Sequence, residues 1–546
     1  MRQQTITLNG AALTPDAVIA ISRGCARVEL ASESRTALQA TRDYIEETWL
    51  NDSAPLMYAF NTGVGSLKNR RIGSEEIAVF QRNLVRSHSA STGESMPSEV
   101  VRAMMAIRAN AFAGNHSGVR VAIVDRLLEM LNHGIVPVIA AKGSVGASGD
   151  LAPLAIMTAA LMGMAESRVV FQGGVVPAPV AFERAGLPPT MDVQAKDATA
   201  LINGATASLA YAVLAARDAR ALLTDATISL VMTLEALRGE LACFEDRAML
   251  ARPHRGQRQI AAAVRTIVSG SGRCTEAARQ VRLDAGADAS MIEPRIQDAY
   301  SLRCAPQVYG PVLDALDYID GILSVELNSA TDNPLIFSDQ SGGYDVVSCG
   351  HFHGQYIAQA MDLLALAVTD LGAICDRRTA RLIDAACNYG LPTNLIAERP
   401  GINTGFSVIQ SMGTGLVLEN VGLCSPASTI SLPAKGNTED HVSNSCFAAR
   451  RSRTVVENTQ AIVAAEFLVA AQALDLSEPH LKEHRLGRGT AAALQALRKK
   501  VPATLGDDRW VHDDLEAVRA MVIDGTFKHA VEAVCDPLFK NIETMT

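Results

Sequence analysis

Apolar residues recur at helical spacing over long stretches of this chain, and few stretches alternate as strands do. The period is sustained from Asp197 to about Glu245 and again over Pro311–Asn328, 354–384 and 448–477. Several of these segments approach or exceed about 25 residues, which predicts a bundle of very long helices. Shorter helices are predicted over about 36–50, ending near Trp49, and over about 74–90 and 97–134. Gly143–Gly149 interrupts the pattern, which resumes as helix from about Pro153. Residues 1 to about 35 read as a short β-like element followed by a helix. Val169–Pro179 reads as a small hairpin, and Pro55–Ser66 as a loop around Asn61-Thr-Gly-Val-Gly65. The expected fold is mainly α, a central bundle of long helices with short β elements near the N-terminus. The expected division is an N-terminal domain over 1–200, the long-helix bundle over 201–480 and a more charged helical cap over 481–546.

Composition narrows this picture. At 546 residues the chain exceeds one ordinary core, and 48% hydrophobic content with only 4% aromatic residues favours packed helices over β-sandwiches. The net charge of −9 is modest, its signs are interspersed, and no basic stripe with interleaved aromatics points to nucleic acid. The first residues lack the apolar run of a secretory signal. Ala198–Ala216 is uncharged and nearly long enough to span a bilayer, but it holds Asn203, Gly204 and Thr206 and runs into Arg217, Asp218 and Arg220. A buried helix is the expectation there. The ten cysteines show no Cys-x-x-Cys spacing and read as small buried hydrophobes. The expected setting is cytoplasmic, with no membrane and no nucleic-acid partner.

The segment Gly143-Ser-Val-Gly-Ala-Ser-Gly-Asp-Leu-Ala-Pro-Leu154 carries the most specific chemistry. It is not a nucleophile elbow, because Asp150 stands where Gly-x-Ser-x-Gly needs glycine, and no phosphate-binding loop follows. Within it, Ala147-Ser148-Gly149 can cyclise. The Gly149 nitrogen attacks the Ala147 carbonyl carbon, and loss of two waters leaves an exocyclic methylidene in place of the Ser148 hydroxyl. The product is a methylidene-imidazolone, MIO, an electrophile that no standard side chain supplies. Glycine suits the attacking position because it lacks a Cβ and tolerates backbone angles closed to other residues. Alanine leaves room for the compression that ring closure needs.

Further segments place polar residues in apolar or glycine-rich surroundings: Tyr58-Ala-Phe-Asn-Thr-Gly-Val-Gly65, Gln81–His88, Leu201-Ile-Asn-Gly204, Gln297–Cys304 and Glu326–Pro334. With Phe352-His-Gly-Gln355 and Glu439-Asp-His441 they make the chain resemble the aromatic amino acid ammonia-lyase and aminomutase family, over roughly residues 5–530. The resemblance implies an almost wholly α-helical ammonia-lyase fold, an MIO group and a homotetramer whose active sites are each assembled from three subunits. It also implies mobile loops that carry Tyr58 and Tyr300 over those sites. Two departures stand out. His351 occupies a position where the family usually has asparagine, and Gly436-Asn-Thr-Glu439 replaces the Asn-Gln-Glu of histidine-type members.

The reaction so implied, loss of ammonia from an α-amino acid, has two obstacles: the amine leaves poorly, and the β-carbon proton is barely acidic. The electrophile addresses the first and a positioned base the second. By resemblance Tyr58 is that base, and its ordinary pKa near ~10 requires nearby positive charge or hydrogen-bond donors. Arg303 offers a bidentate fork for the substrate carboxylate. Tyr300 and Gln297, three and six residues before it, line the site by resemblance. The resemblance further implies that Asn203 and Asn333 hydrogen-bond the ring oxygen and the substrate, and that Phe352 packs over the ring or the substrate side chain. His351, His353, His441 and Glu439 suggest a metal cluster only superficially, because no third ligand sits at supporting spacing.

Two positions bear on the substrate. Ser87-His88 resembles a pair in histidine lyases, and some tyrosine lyases and aminomutases carry it too, so an imidazole there leaves both rings open. Glu439, before Asp-His-Val-Ser443, resembles the histidine type, whereas tyrosine and phenylalanine enzymes place glutamine there. A carboxylate can pair with an imidazole N–H, while facing an apolar ring it would be a buried charge without a partner. A helix N-terminal position favoured by the dipole is the alternative for Glu439. The expected reaction is L-histidine to trans-urocanate and ammonia, with tyrosine ammonia-lyase or tyrosine 2,3-aminomutase activity as the alternative. A non-catalytic scaffold and a metal-dependent hydrolase are the readings from other classes.

Overall fold

The computed structural model describes residues 4–283, 295–434 and 438–539. They fall into two compact units: Met1–Ala215 with Ile319–Asp362 and Pro426–Arg453, and Ala216–Tyr318 with Leu363–Ser425 and Thr454–Thr546. Neither is contiguous, unlike the division at 200 and 480 expected from sequence. The reason is helix length. Thr206–Ala236, Ala305–Glu326, Gln355–Ile383 and Ser445–Leu481 each contribute residues to both units, and at about 1.5 Å per residue such helices outrun one small core.

The mainly α architecture is the one the periodicity predicts, with long helices close to the expected bounds. The helix over 36–50 is Ser32–Thr48, closed by Trp49, and the C-terminal stretch holds Arg488–Arg498, Val511–Ile523 and Thr526–Glu532. Helices Gln355–Ile383 and Ser445–Leu481 are long and apolar enough to cross a membrane, but their apolar windows are mostly buried within the protein. The uncharged stretch Ala198–Ala216 is buried too, although not as one helix. It breaks at Asn203-Gly204, between Asp197–Ile202 and Thr206–Ala236.

In the first unit, strands Thr5–Leu8 and Arg27–Leu30 pair in parallel, Thr5 against Arg27, with helix Pro15–Ser22 as the crossover. That helix starts cleanly: Thr14 accepts the Ala17 amide, and Pro15 fills the first turn, where a missing N–H costs nothing. The predicted hairpin is Arg168–Phe171 against Gly174–Pro177. Its two-residue turn, Gln172-Gly173, has both residues at positive φ, as a twisted hairpin requires. A second hairpin, Leu335–Ser338 with Tyr344–Val347, was not expected; its turn is built by Asp339 Oδ1 accepting the Ser341 and Gly343 amides. Helix Ser98–Ala113 is buried on every side from Val100 onward. Its two arginines are tolerated because backbone carbonyls meet them, Ile21 and Leu131 for Arg102 and Ala200 for Arg108.

The second unit is organised around a buried ion pair. Arg378 Nε donates to Glu466 Oε1 at 2.5 Å, and Glu466 also accepts from Ser229 and Thr233 while Arg378 donates to Tyr309. Residues of four long helices therefore meet at one satisfied polar knot. Burial alone would lower the Arg378 pKa, but Glu466 beside it holds the guanidinium well above its ordinary value. Phe467 stacks on Phe527 at 3.9 Å and ties a C-terminal helix to the same core.

Candidate active site

Ala147-Ser148-Gly149 lies in an irregular loop immediately before helix Leu151–Leu161, and contacts to neighbouring segments hold Gly149 and the residues on either side of the tripeptide. Gly149 lies alongside Gly204 as a parallel bridge, with Asp150 N donating to Gly204 O at 2.8 Å. Asn444 N donates to Val145 O, while Gly354 N and Ser443 Oγ both donate to Gly146 O. Gly149 has φ +77, and a Cβ there would sit 2.2 Å from the Gly204 carbonyl carbon. Only glycine fits.

Asp150 was overlooked as a site residue by sequence reasoning. It is fully buried and accepts from Ser144 Oγ at 2.6 Å, Ser208 N at 2.7 Å and Ser208 Oγ, which in turn meets Ser445 Oγ at 2.8 Å. Burial raises its pKa, and the hydrogen bonds from Ser144 and Ser208 oppose that. The available signal was an acid directly after the tripeptide at a helix start, where carboxylates are favoured.

Ser148 Oγ donates to Glu439 Oε1 at 2.5 Å, so residues 291 apart in sequence meet at the tripeptide. Glu439 is half-buried in a turn six residues before helix Ser445–Leu481. The helix N-terminal alternative for this glutamate is therefore not what the fold provides. Gly436 and Asn437, part of the departure noted above, lie outside the described residues.

Tyr58 stands in a turn braced from behind. Phe60 packs edge-on against Trp49 at 5.4 Å, and Asn61 bonds Met57 N and Pro55 O across the turn. Burial raises the Tyr58 pKa; the Gly65 amide, donating to the phenol, opposes this, and the Glu439 and Asp332 carboxylates raise it further. One expected donor is present, but the surroundings within this chain favour the phenol.

Asn203 ends helix Asp197–Ile202 and donates Nδ2 to the main-chain carbonyl of Asn333 at 3.2 Å, while its Oδ1 is buried and accepts no hydrogen bond from the described residues. Asn333 Oδ1 accepts from Cys349 N at 2.8 Å. His88 closes helix Ile77–His88, its Nδ1 2.9 Å from the Leu84 carbonyl. Ser87 Oγ lies 3.0 Å from the same nitrogen; in the tautomer whose Nδ1–H donates to the Leu84 carbonyl, Nε2 is the acceptor. Phe352 is partly buried and the departing His351 is exposed. Neighbouring His353 holds this turn instead, stacked on His441 at 5.9 Å with Nε2 3.2 Å from the His441 carbonyl.

Gln297, Tyr300 and Arg303 belong to the second unit and form a group of their own. Arg303 donates Nη2 to Gln297 Oε1 and Nε to Asp298 O, each at 2.9 Å, and its guanidinium lies 4.7 Å from the centre of the Tyr300 ring. Tyr300 is 70% exposed. The guanidinium is thus oriented by its own segment.

The residues around Ser148 fit a cyclised tripeptide. The attacking residue has no Cβ and a left-handed backbone, it lies against Gly204, and Ala147 is small and buried.

Comparison with known proteins places these features in context. The family model described as aromatic amino acid lyase matches residues 13–499. Histidine ammonia-lyase 2 of Fusobacterium nucleatum is 41% identical over 91% of this chain and 93% of its own length. Histidine ammonia-lyase of Gloeobacter violaceus is 41% identical over 98% of each. Among solved structures, tyrosine aminomutase from Streptomyces globisporus superposes with a TM-score of 0.89 at 35% identity, covering 97% of this chain and 99% of that one. Histidine ammonia-lyase from Trypanosoma cruzi gives 0.85 at 33% identity, covering 97% and 96%.

Proposed function

Because this chain belongs to the aromatic amino acid lyase family, we propose that it removes ammonia from L-histidine to give trans-urocanate. The observation that carries the choice of histidine is the Glu439 carboxylate held 2.5 Å from Ser148 Oγ. It brings a negative charge to the tripeptide itself, where an imidazole N–H can pair with it and an apolar ring could not. The histidine ammonia-lyases at 41% identity support the same reading.

An MIO ring formed from Ala147-Ser148-Gly149 would supply an electrophile toward the substrate amine. This chain's own side chains then divide the remaining work. Tyr58 removes the β-carbon proton, a role worth roughly 10²–10⁴-fold in rate. Asn203 Oδ1, buried without a donor, accepts an N–H of the amine, and Asn333 fixes Asn203 through its carbonyl. His88 Nε2 and Glu439 hold the imidazole ring, and Phe352 packs against it. Arg303, oriented by Gln297 and stacked near Tyr300, binds the carboxylate through its guanidinium fork. The functional form is a homotetramer with sites shared among subunits, acting in the cytoplasm without a membrane or nucleic-acid partner.

Product formation from L-histidine and L-tyrosine in parallel tests the substrate, and the mass of the peptide spanning 143–154 tests the ring. Urocanate with little coumarate, and a peptide lighter by two waters, are the expected results. Coumarate or a β-amino acid from tyrosine would move the substrate to tyrosine while leaving the family unchanged.

A further inference from the structure

A lysine and an aspartate buried completely in the first unit do no chemistry in the scheme above, yet they hold its asparagines. Lys196 Nζ donates to Asp332 Oδ2 at 2.7 Å, and both side chains are fully buried. The other Asp332 oxygen accepts the amide of Asn333 at 2.7 Å. Lys196 immediately precedes helix Asp197–Ile202, and Asn203 immediately follows it. One short helix therefore presents a side chain at each end to the same dipeptide: Lys196 to Asp332 and Asn203 to the Asn333 carbonyl.

Two features argue against ordinary packing. A buried ion pair is often no more stable than well-packed apolar residues of the same volume. Lys196 also adopts φ +71, a left-handed backbone that strains a non-glycine residue and tends to persist where position matters. The Asp332 carboxylate moreover adds to the raised Tyr58 pKa, after burial and Glu439.

We propose that the Lys196–Asp332 pair is a positioning device for the site, locking Asn333 against Asn203 and compensating the negative charge that Asp332 would otherwise present to Tyr58. Among the described residues, these charged and titratable groups surround this point. The Glu439 and Asp332 carboxylates and the Gly65 amide act on the Tyr58 phenol, Lys196 and the Arg108 guanidinium act on Asp332, and the Cys349 thiol donates to the Asp332 main-chain carbonyl. The proposal rests on the assignment of Tyr58 as the base.

The test is a pair of opposite charge changes, Lys196→Met and Asp332→Asn, in the full-length protein. Tyr58 ionisation is read directly as the phenolate absorbance difference between each protein and its Tyr58→Phe counterpart, alongside the pH profile of kcat/KM. Lys196→Met strips compensation from Asp332 and should move Tyr58 ionisation up by roughly one pH unit; Asp332→Asn leaves Lys196 behind and should move it down by a similar amount. Lys196→Arg should restore the parent profile. A residue that merely supported folding would lower the yield of folded protein without producing shifts of opposite sign.

Unmoved Tyr58 ionisation in folded protein of either variant overturns the proposal. If one variant does not fold, the other decides alone, because each predicts its own direction. Should Tyr58→Phe turn over normally in the parent background, the base assignment fails instead, and the direct titration still reports whether the pair acts on Tyr58.

Discussion

Gly149 and Gly204 run side by side, and neither has room for a side chain, Gly149 because of Gly204 and Gly204 because of Thr331 and Arg108. A Cβ on Gly149 would lie 2.2 Å from the Gly204 carbonyl carbon, and one on Gly204 would lie 2.5 Å from the Thr331 carbonyl oxygen and 2.6 Å from Arg108 Nη1. Both glycines have positive φ, +77 and +120. The bridge between them connects the tripeptide to the segment that carries Asn203. Gly204→Ala should therefore cost about 2–4 kcal/mol, combining overpacking with backbone strain. Thermal melting measures the loss, and the 143–154 peptide should fail to lose two waters in whatever folded protein remains. A normal melt with normal water loss would mean the close approach is not needed.

Tyr58→Phe should leave the fold intact, because the turn is held by Phe60 and Asn61 and not by the phenol. Its kcat/KM should drop at least about 10²-fold while the peptide still loses two waters. Burial and two carboxylates raise the pKa of the parent tyrosine. A base acts deprotonated, so parent kcat/KM should climb with pH into the alkaline range. A profile already flat from neutral pH upward would remove Tyr58 from that role.

Glu439→Gln, compared per mature site, should reduce kcat/KM on histidine far more than on tyrosine, since an amide pairs less well with a protonated imidazole. Equal losses on both amino acids would make Glu439 a general participant and withdraw the argument for histidine.

Glu326 gives a stability prediction away from the chemistry. Burial pushes its carboxyl up to about 6 from an ordinary 4.5. The folded state thus favours the protonated form. This contribution is fully present below pH 4.5 and lost as pH rises through about 6. Glu326→Gln should then be the more stable protein at pH 7, by up to about 2 kcal/mol, with the advantage vanishing below pH 4.5. Denaturant melts at the two pH values read it, and an advantage independent of pH would point to packing instead of charge.

The bundle was legible because helical periodicity is local: an apolar stripe every three to four residues declares itself without knowledge of its partner. The hairpin at Leu335–Val347 escaped notice because its turn depends on one aspartate side chain folding back on the backbone. Domain limits were read from contiguous segments, whereas helices such as Ser445–Leu481 serve both units. Asp150 was visible in the sequence but ambiguous, since an acid at a helix start has an ordinary explanation.

What the sequence by itself determined is a segment whose residues can cyclise, and its helical setting. Glycine at 149, alanine at 147 and serine at 148 are chemical requirements of neighbouring atoms, so they are complete within three residues. The tertiary structure alone decided which side chains face that segment. Glu439 reaches Ser148 across 291 residues, Lys196 reaches Asp332 across 136, and Asn203 reaches Asn333 across 130. Such pairings have no local signature, because a carboxylate or an amide looks the same in sequence whether it faces water or a buried partner. Its meaning comes from what long helices, packed by their apolar faces, bring opposite to it.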